Sequence, residues 1–126
     1  MTNKNYSIIV GALLLGLAVC IGAFGAHGLK AIVTDQGMKT FQTGVSYHYY
    51  HGFGLLLLGL LKNQYPELKE KFVFYAFIVG ITLFSFNCYF YAIFNIKTFA
   101  MIIPIGGVFF ILGWFTLAYR LYKVQK

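Results

Sequence analysis

Residues 5–29 read NYSIIVGALLLGLAVCIGAFGAHGL, 25 consecutive positions without an Asp, Glu, Lys or Arg, bracketed by Lys4 and Lys30. A helix needs about 20 mainly apolar residues to cross the hydrocarbon core of a bilayer, so this stretch decides the fold class. Three further charge-free windows follow: residues 40–61 with 22 positions, 72–96 with 25, and 98–119 with 22. In hydrocarbon a backbone must satisfy its own hydrogen bonds, which makes each window a helix. None shows the alternation over about ten residues that marks a barrel strand. The 126 residues therefore predict one all-α domain, an integral membrane four-helix bundle. Its spans are placed at about Tyr6–Ala26, Gly44–Leu61, Phe72–Phe94 and Phe99–Tyr119. Charged residues make up 10% of the chain and hydrophobic ones 60%, whereas a soluble domain carries about 25% charge. A soluble globular domain, a disordered chain and a disulfide-framed miniprotein are thereby excluded.

The first window has a secretory flavour, with Lys4 ahead of it and small residues at Gly22-Ala23-Phe24-Gly25-Ala26. Its apolar run, Ile8 to Ala26, is 19 residues long, against about 7–15 for a signal-peptide core, so it reads as a span. Leu17-Ala18-Val19-Cys20 lacks the small residue before Cys that lipoprotein cleavage wants. Tyr47, Tyr49 and Tyr50, and again Tyr119 and Tyr122, stand where interfacial aromatic belts are expected. With four spans, the N-terminus, the 62–71 loop and the C-terminal tail share one side. That side holds Lys4, Lys62, Lys69, Lys71, Arg120, Lys123 and Lys126, seven cations, against Lys30, Lys39 and Lys97 on the other. The positive-inside rule then places the N- and C-termini in the cytoplasm. The net charge of +7 reads as a topology signal and contact with anionic lipid. Nucleic acid is not an implied partner.

The loops are short. Thr34-Asp35-Gln36-Gly37 is a cap or turn leading to the second span, and Pro66 sits near the first turn of the third. Asn95-Ile96-Lys97-Thr98 is a tight hairpin. No internal repeat of the inverted-transporter kind is visible.

Few residues in the spans carry chemistry. No Asp or Glu lies inside any of them, which counts against a proton-coupled exporter and removes the carboxylates of a di-iron site. Cys20 and Cys88 fall in apolar windows, outside any Cys-x-x-Cys or zinc spacing. The sharpest polar feature is Tyr47-His48-Tyr49-Tyr50-His51, whose two histidines, three apart, share a helix face. Haem or metal ligation is one reading, with His27 as a third candidate. A bis-His haem takes ligands from opposite sides of the iron, which one helix does not supply. The plainer reading is interhelical hydrogen bonding, with no metal and no cofactor.

At about 1.5 Å per residue, His51 and Asn87 both lie roughly 10 Å in from the outer ends of their spans. Ser85, Pro104, the pair Gly106-Gly107 and the Gly22–His27 stretch fall at similar depth. Such a layer is either a small-ligand site or the level of closest packing. It predicts a hydrogen bond from His51 to Asn87, with His48 nearer the surface and reaching water or a tyrosine hydroxyl. Small residues recur at helical spacing: Gly11, Ala18, Gly22 and Gly25 on span one, and Gly52 and Gly59 on span two. Ala76 and Gly80 do the same on span three, Gly106 and Gly113 on span four. These stripes predict close helix contact, and Pro104 predicts a kink.

Four of these segments, in order, resemble the YgdD/YwdK-type family of small multipass membrane proteins. They are Gly22-Ala23-Phe24-Gly25-Ala26-His27-Gly28-Leu29, Tyr47-His48-Tyr49-Tyr50-His51, Gly80-Ile81-Thr82-Leu83-Phe84-Ser85, and Pro104-Ile105-Gly106-Gly107 running to Gly113-Trp114. Family members often read Gly-Ser where Phe86 and Asn87 stand here. The resemblance implies about four spans in the plasma membrane and carries no catalytic residue. The leading expectation is a non-enzymatic protein acting through helix packing, as a homo-oligomer or with a membrane-protein partner in the lipid bilayer. A small-solute conduit through the outer polar layer is the alternative. A haem or metal redox protein built on His27, His48 and His51 is the third.

Overall fold

The second helix opens at Thr34, within the expected cap stretch and ahead of the span placed from Gly44. The Thr34 Oγ1 accepts from the Gly37 N–H at 2.9 Å, an N-cap that satisfies one of the unpaired first-turn donors. Asp35 in the first turn complements the positive end of the helix dipole. In the computed structural model, which describes residues 4–126, that helix is α2 (Asp35–Gln64), 30 residues long. Before it come α1 (Tyr6–Phe24) and, without interruption, a π-helical turn at Gly25–Leu29. After it, α3 (Lys71–Gly80), a π-helical segment (Ile81–Phe86) and α4 (Asn87–Phe94) form one continuous rod, and α5 (Lys97–Gln125) forms the last. The chain is thus an all-α bundle of four rods, with no strand among the described residues.

Three rods, Tyr6–Leu29, Lys71–Phe94 and Lys97–Gln125, are long and apolar enough to cross a membrane. α2 is less apolar because the Tyr-His-Tyr-Tyr-His stretch occupies its middle. It is also the most interior rod. Its buried residues Phe41, Gly44, His48, His51, Leu55 and Leu58 recur at three- and four-residue steps, one face of a helix. α1 packs along α2, and the π-helical segment and α4 pack on it as well. α5 lies against the third rod, and α1 scarcely meets α3 or α5. Large apolar side chains such as Leu13, Val19, Met101 and Phe115 point outward, as lipid-facing surfaces require.

The rod ends are fastened by side chains. Asn5 caps α1 by accepting from Ile8 N–H at 3.3 Å, and its Nδ2 donates to the Gly59 carbonyl at 2.9 Å, tying α1 to α2. Asn95 ends α4 in the left-handed conformation, φ 54°, which Asn tolerates better than most residues. Pro66 lies in the turn between α2 and α3, not in a first helical turn, because α3 begins only at Lys71. That turn is pinned from both sides. Lys62 Nζ donates to the Pro66 carbonyl at 2.6 Å and the Leu68 carbonyl at 2.8 Å, and pairs with Glu70 at 3.3 Å. An Arg120 guanidinium N–H donates to the Lys69 carbonyl at 2.6 Å. Leu68 is fully buried beneath, among Leu55, Leu58, Val73, Phe77 and Leu117. The start of α1, the 62–71 turn and the end of α5 therefore share one end of the bundle. α5 runs through Pro104 as one helix.

Candidate functional site: a closed histidine layer

His51 is 3% exposed, and both its ring nitrogens are engaged. The Nδ1–H donates to the Tyr47 carbonyl one turn back at 2.8 Å. That assignment leaves Nε2 as acceptor, and the Trp114 Nε1–H donates to it at 2.9 Å. Phe110 stacks on the imidazole, ring centroids 3.5 Å apart and 10° from parallel. Phe77 meets it edge-on at 5.2 Å. An imidazole held so has no lone pair left for a metal and no nitrogen free to move a proton.

His48 is fully buried one turn along the same face. Its Nδ1 lies 2.8 Å from the Tyr89 hydroxyl of α4, and the Phe86 ring meets it edge-on at 5.7 Å. His48 Nε2 and Ser85 Oγ are buried without a hydrogen-bond partner. Of the two expected partners it is the tyrosine and not water that His48 meets, because the ring is fully buried.

The expected His51–Asn87 bond is absent. The Asn87 Nδ2–H instead donates to the Leu83 carbonyl of its own rod at 2.8 Å and, more weakly, to that of Thr82 at 3.4 Å. The reason is register. α2 begins nine residues before Gly44, and Gly37 already lies against Ala92. Gly44 then faces Cys88, and Gly54 faces Phe77. His51 consequently sits level with Gly80, which shares its contact with Phe110. Seven residues separate Gly80 from Asn87, two helical turns or about 10 Å. Asn87 has a local task. A π-helical segment breaks the regular i to i−4 pairing, and the amide supplies donors for carbonyls there.

His27 is exposed on the π-helical turn after α1, away from the buried pair. Around it the motif works through its neighbours: Leu29 is 1% exposed beside Phe41 and Tyr89. A Cβ on Gly25 would lie 2.5 Å from Phe41 Cζ. Among the described residues no group of three or more His, Cys, Asp or Glu is placed to hold one metal ion. Cys88 is buried, Cys20 exposed, and both are free thiols.

The small residues mark contacts of unequal tightness. A Cβ on Gly11 would lie 2.9 Å from the Gly52 carbonyl oxygen, and one on Gly52 2.7 Å from Leu15 Cδ2. At Gly59 it would meet Asn5 Oδ1 at 2.7 Å, and at Gly113 Phe77 Cε1 at 2.6 Å. At Gly106 it would meet Phe84 Cβ at 2.7 Å and the Leu83 carbonyl carbon at 2.8 Å. Ala18 is fully buried. Gly22 differs: Val45 Cγ1 lies at 3.6 Å, ordinary contact. The close approach of span one is at Gly11 and Gly25.

Trp114 and Phe110 complete the layer, and sequence reasoning had not assigned them. The available signal was the only Trp of the chain standing inside an apolar window, where its N–H needs an acceptor. A family described as "Protein of unknown function (DUF423)" matches residues 21–107, which include both buried histidines. A UPF0382 membrane protein of Staphylococcus epidermidis is 40% identical over 110 residues, 87% of this chain and 89% of that protein. The UPF0382 membrane protein YwdK of Bacillus subtilis is 38% identical over 108 residues, 85% of this chain and 88% of its own length. The UPF0382 membrane protein of Staphylococcus haemolyticus is 35% identical over 116 residues, 92% and 94% of the two chains. No solved structure matches.

Proposed function

This chain belongs to the DUF423 family, whose relatives are named UPF0382 membrane proteins, and from that premise we propose a non-enzymatic role in the plasma membrane. All four rods cross the bilayer in this reading, with both chain ends in the cytoplasm. The seven cations at the shared end support that orientation. The protein acts by presenting its lipid-facing helix surfaces to a second copy or to another membrane protein. One observation carries the reading: His51 is closed off within the bundle. His51 uses both nitrogens within the bundle and Phe110 covers its face, so the layer locks α2 to α5. Mild-detergent purification followed by cross-linking and mass spectrometry is the test. A defined oligomer or a recurrent membrane-protein partner is expected. A strictly monomeric, partner-free protein that turns over a substrate would overturn it.

A second reading rests on His48 Nε2 and Ser85 Oγ, which are buried and unpaired. They suit a small hydrogen-bonding solute within the bundle. Flux of such solutes into proteoliposomes, abolished by Ser85→Ala, would favour this conduit over the packing role.

A further inference from the structure

α1 and α3 both stand beside α2 yet scarcely touch each other. At the end where α1 starts and α3 starts, the gap between them opens as a cleft of about 750 Å³. That volume lies within the roughly 300–1,000 Å³ of small-molecule sites. Its mouth carries Lys4 and Lys71, and its walls carry Val10, Phe74 and Tyr75. The cleft is therefore amphipathic along its length: cationic at the bundle end, apolar where the helices enter the membrane.

Charge follows from the pairing. Lys62 and Glu70 also line the cleft, but they pair with each other at 3.3 Å, and Lys62 is further held by two carbonyls. Lys4 and Lys71 have no ion-pair partner among the described residues. Two positive charges thus remain unbalanced at the mouth. The first turn of α3 adds to them, since its N-terminal N–H groups receive no side-chain cap. Ammonium groups and a helix N-terminus both suit a phosphate, and basic pockets between membrane helices are natural seats for acidic headgroups.

We propose that this cleft binds one anionic phospholipid. The phosphate lies between Lys4 and Lys71, and an acyl chain follows Val10 and Phe74 along the open seam between α1 and α3. The assignment stands whichever side of the membrane this end faces, so it does not depend on the orientation proposed above.

The test uses the purified full chain in mild detergent, with lipid binding followed by native mass spectrometry and by thermal shift. Phosphatidylglycerol should bind and raise the melting temperature, whereas phosphatidylcholine and inorganic phosphate at equal concentration should do neither. Lys4→Gln with Lys71→Gln should weaken phosphatidylglycerol binding tenfold or more. Lys30→Gln with Lys97→Gln removes the same charge at the opposite end and should leave binding unchanged. Filling the apolar wall with Val10→Phe should exclude the lipid while the histidine layer keeps its Trp114 fluorescence. Equal response to phosphatidylcholine would overturn the proposal, as would equal loss in the opposite-end control. Full competition by inorganic phosphate would assign the site to a free anion and overturn it too.

Discussion

Gly106 and Gly107 are sequence neighbours with opposite surroundings, and alanine should separate them sharply. A Cβ on Gly107 would meet Phe84 Cδ2 at 3.7 Å, ordinary contact. One on Gly106 would lie 2.7 Å from Phe84 Cβ and 2.8 Å from the Leu83 carbonyl carbon, atoms of the neighbouring rod's backbone and its first side-chain carbon. No rotamer change removes that clash; the two rods must move apart. Either substitution gains helix propensity worth about 1 kcal/mol over Gly. At position 107 little opposes the gain, so Gly107→Ala should be neutral to stabilising by up to about 1 kcal/mol. At position 106 overpacking costs about 1–3 kcal/mol, and an unyielding backbone puts it near the upper end. Gly106→Ala should then lose a net of about 1–2 kcal/mol, leaving about 2–3 kcal/mol between the neighbours. Unfolding in mixed micelles of mild detergent and dodecyl sulfate, followed by far-UV circular dichroism and Trp114 fluorescence, measures both. Variants equal within about 0.5 kcal/mol, less than one overpacking increment, would refute close backbone approach between α5 and the π-helical segment.

Trp114→Phe removes the donor to His51 Nε2 and should destabilise the bundle by about 0.6–1.7 kcal/mol, from the mean to the maximum for membrane hydrogen bonds; the same micelle titration, followed by circular dichroism alone, checks it. His51→Phe and Asn87→Leu should lose stability additively, within about 0.3–0.5 kcal/mol, because two helical turns separate the sites. A larger coupling term would restore the contact that the structure lacks. In detergent, Cys20 should be labelled by the micelle-permeant N-ethylmaleimide before Cys88, which should react only after unfolding, a difference read by mass spectrometry. Reporter fusions at Lys126 and within residues 62–71 should read cytoplasmic and one after Lys30 external, with the reverse pattern overturning the orientation.

Helix content and rod number were legible because charge-free windows of membrane length have few other solutions. The capping threonine was legible too, as a side chain that must satisfy first-turn donors. Register was not. Counting inward from Gly44 assumed that the helix starts where apolarity starts, whereas it starts at Asp35, nine residues earlier, behind the Thr34 cap. That error displaced His51 by two turns and paired it with the wrong amide. The π-helical segments were invisible for a related reason: one extra residue in a helix leaves no mark on apolarity. The histidine partners came from aromatic residues whose side-chain direction depends on that register. The small residues were legible as a class, but which of them meets backbone and which meets open space depends on the partner surface.

The interior place of α2 bears on how the chain enters a membrane. A segment with two histidines and three tyrosines in its middle leaves an insertion channel reluctantly by itself, since polar side chains near the bilayer centre oppose partitioning. α1, apolar throughout and extensively packed on α2, is made first and stands ready as a partner. In the four-span reading proposed above, biogenesis proceeds by a pair: α1 waits at the channel's lateral exit and α2 partitions against it as a hairpin. The histidines remain uncompensated until the third and fourth rods arrive with Tyr89 and Trp114. A ribosome stalled before α4 would leave an intermediate whose two imidazoles lack their Tyr89 and Trp114 partners.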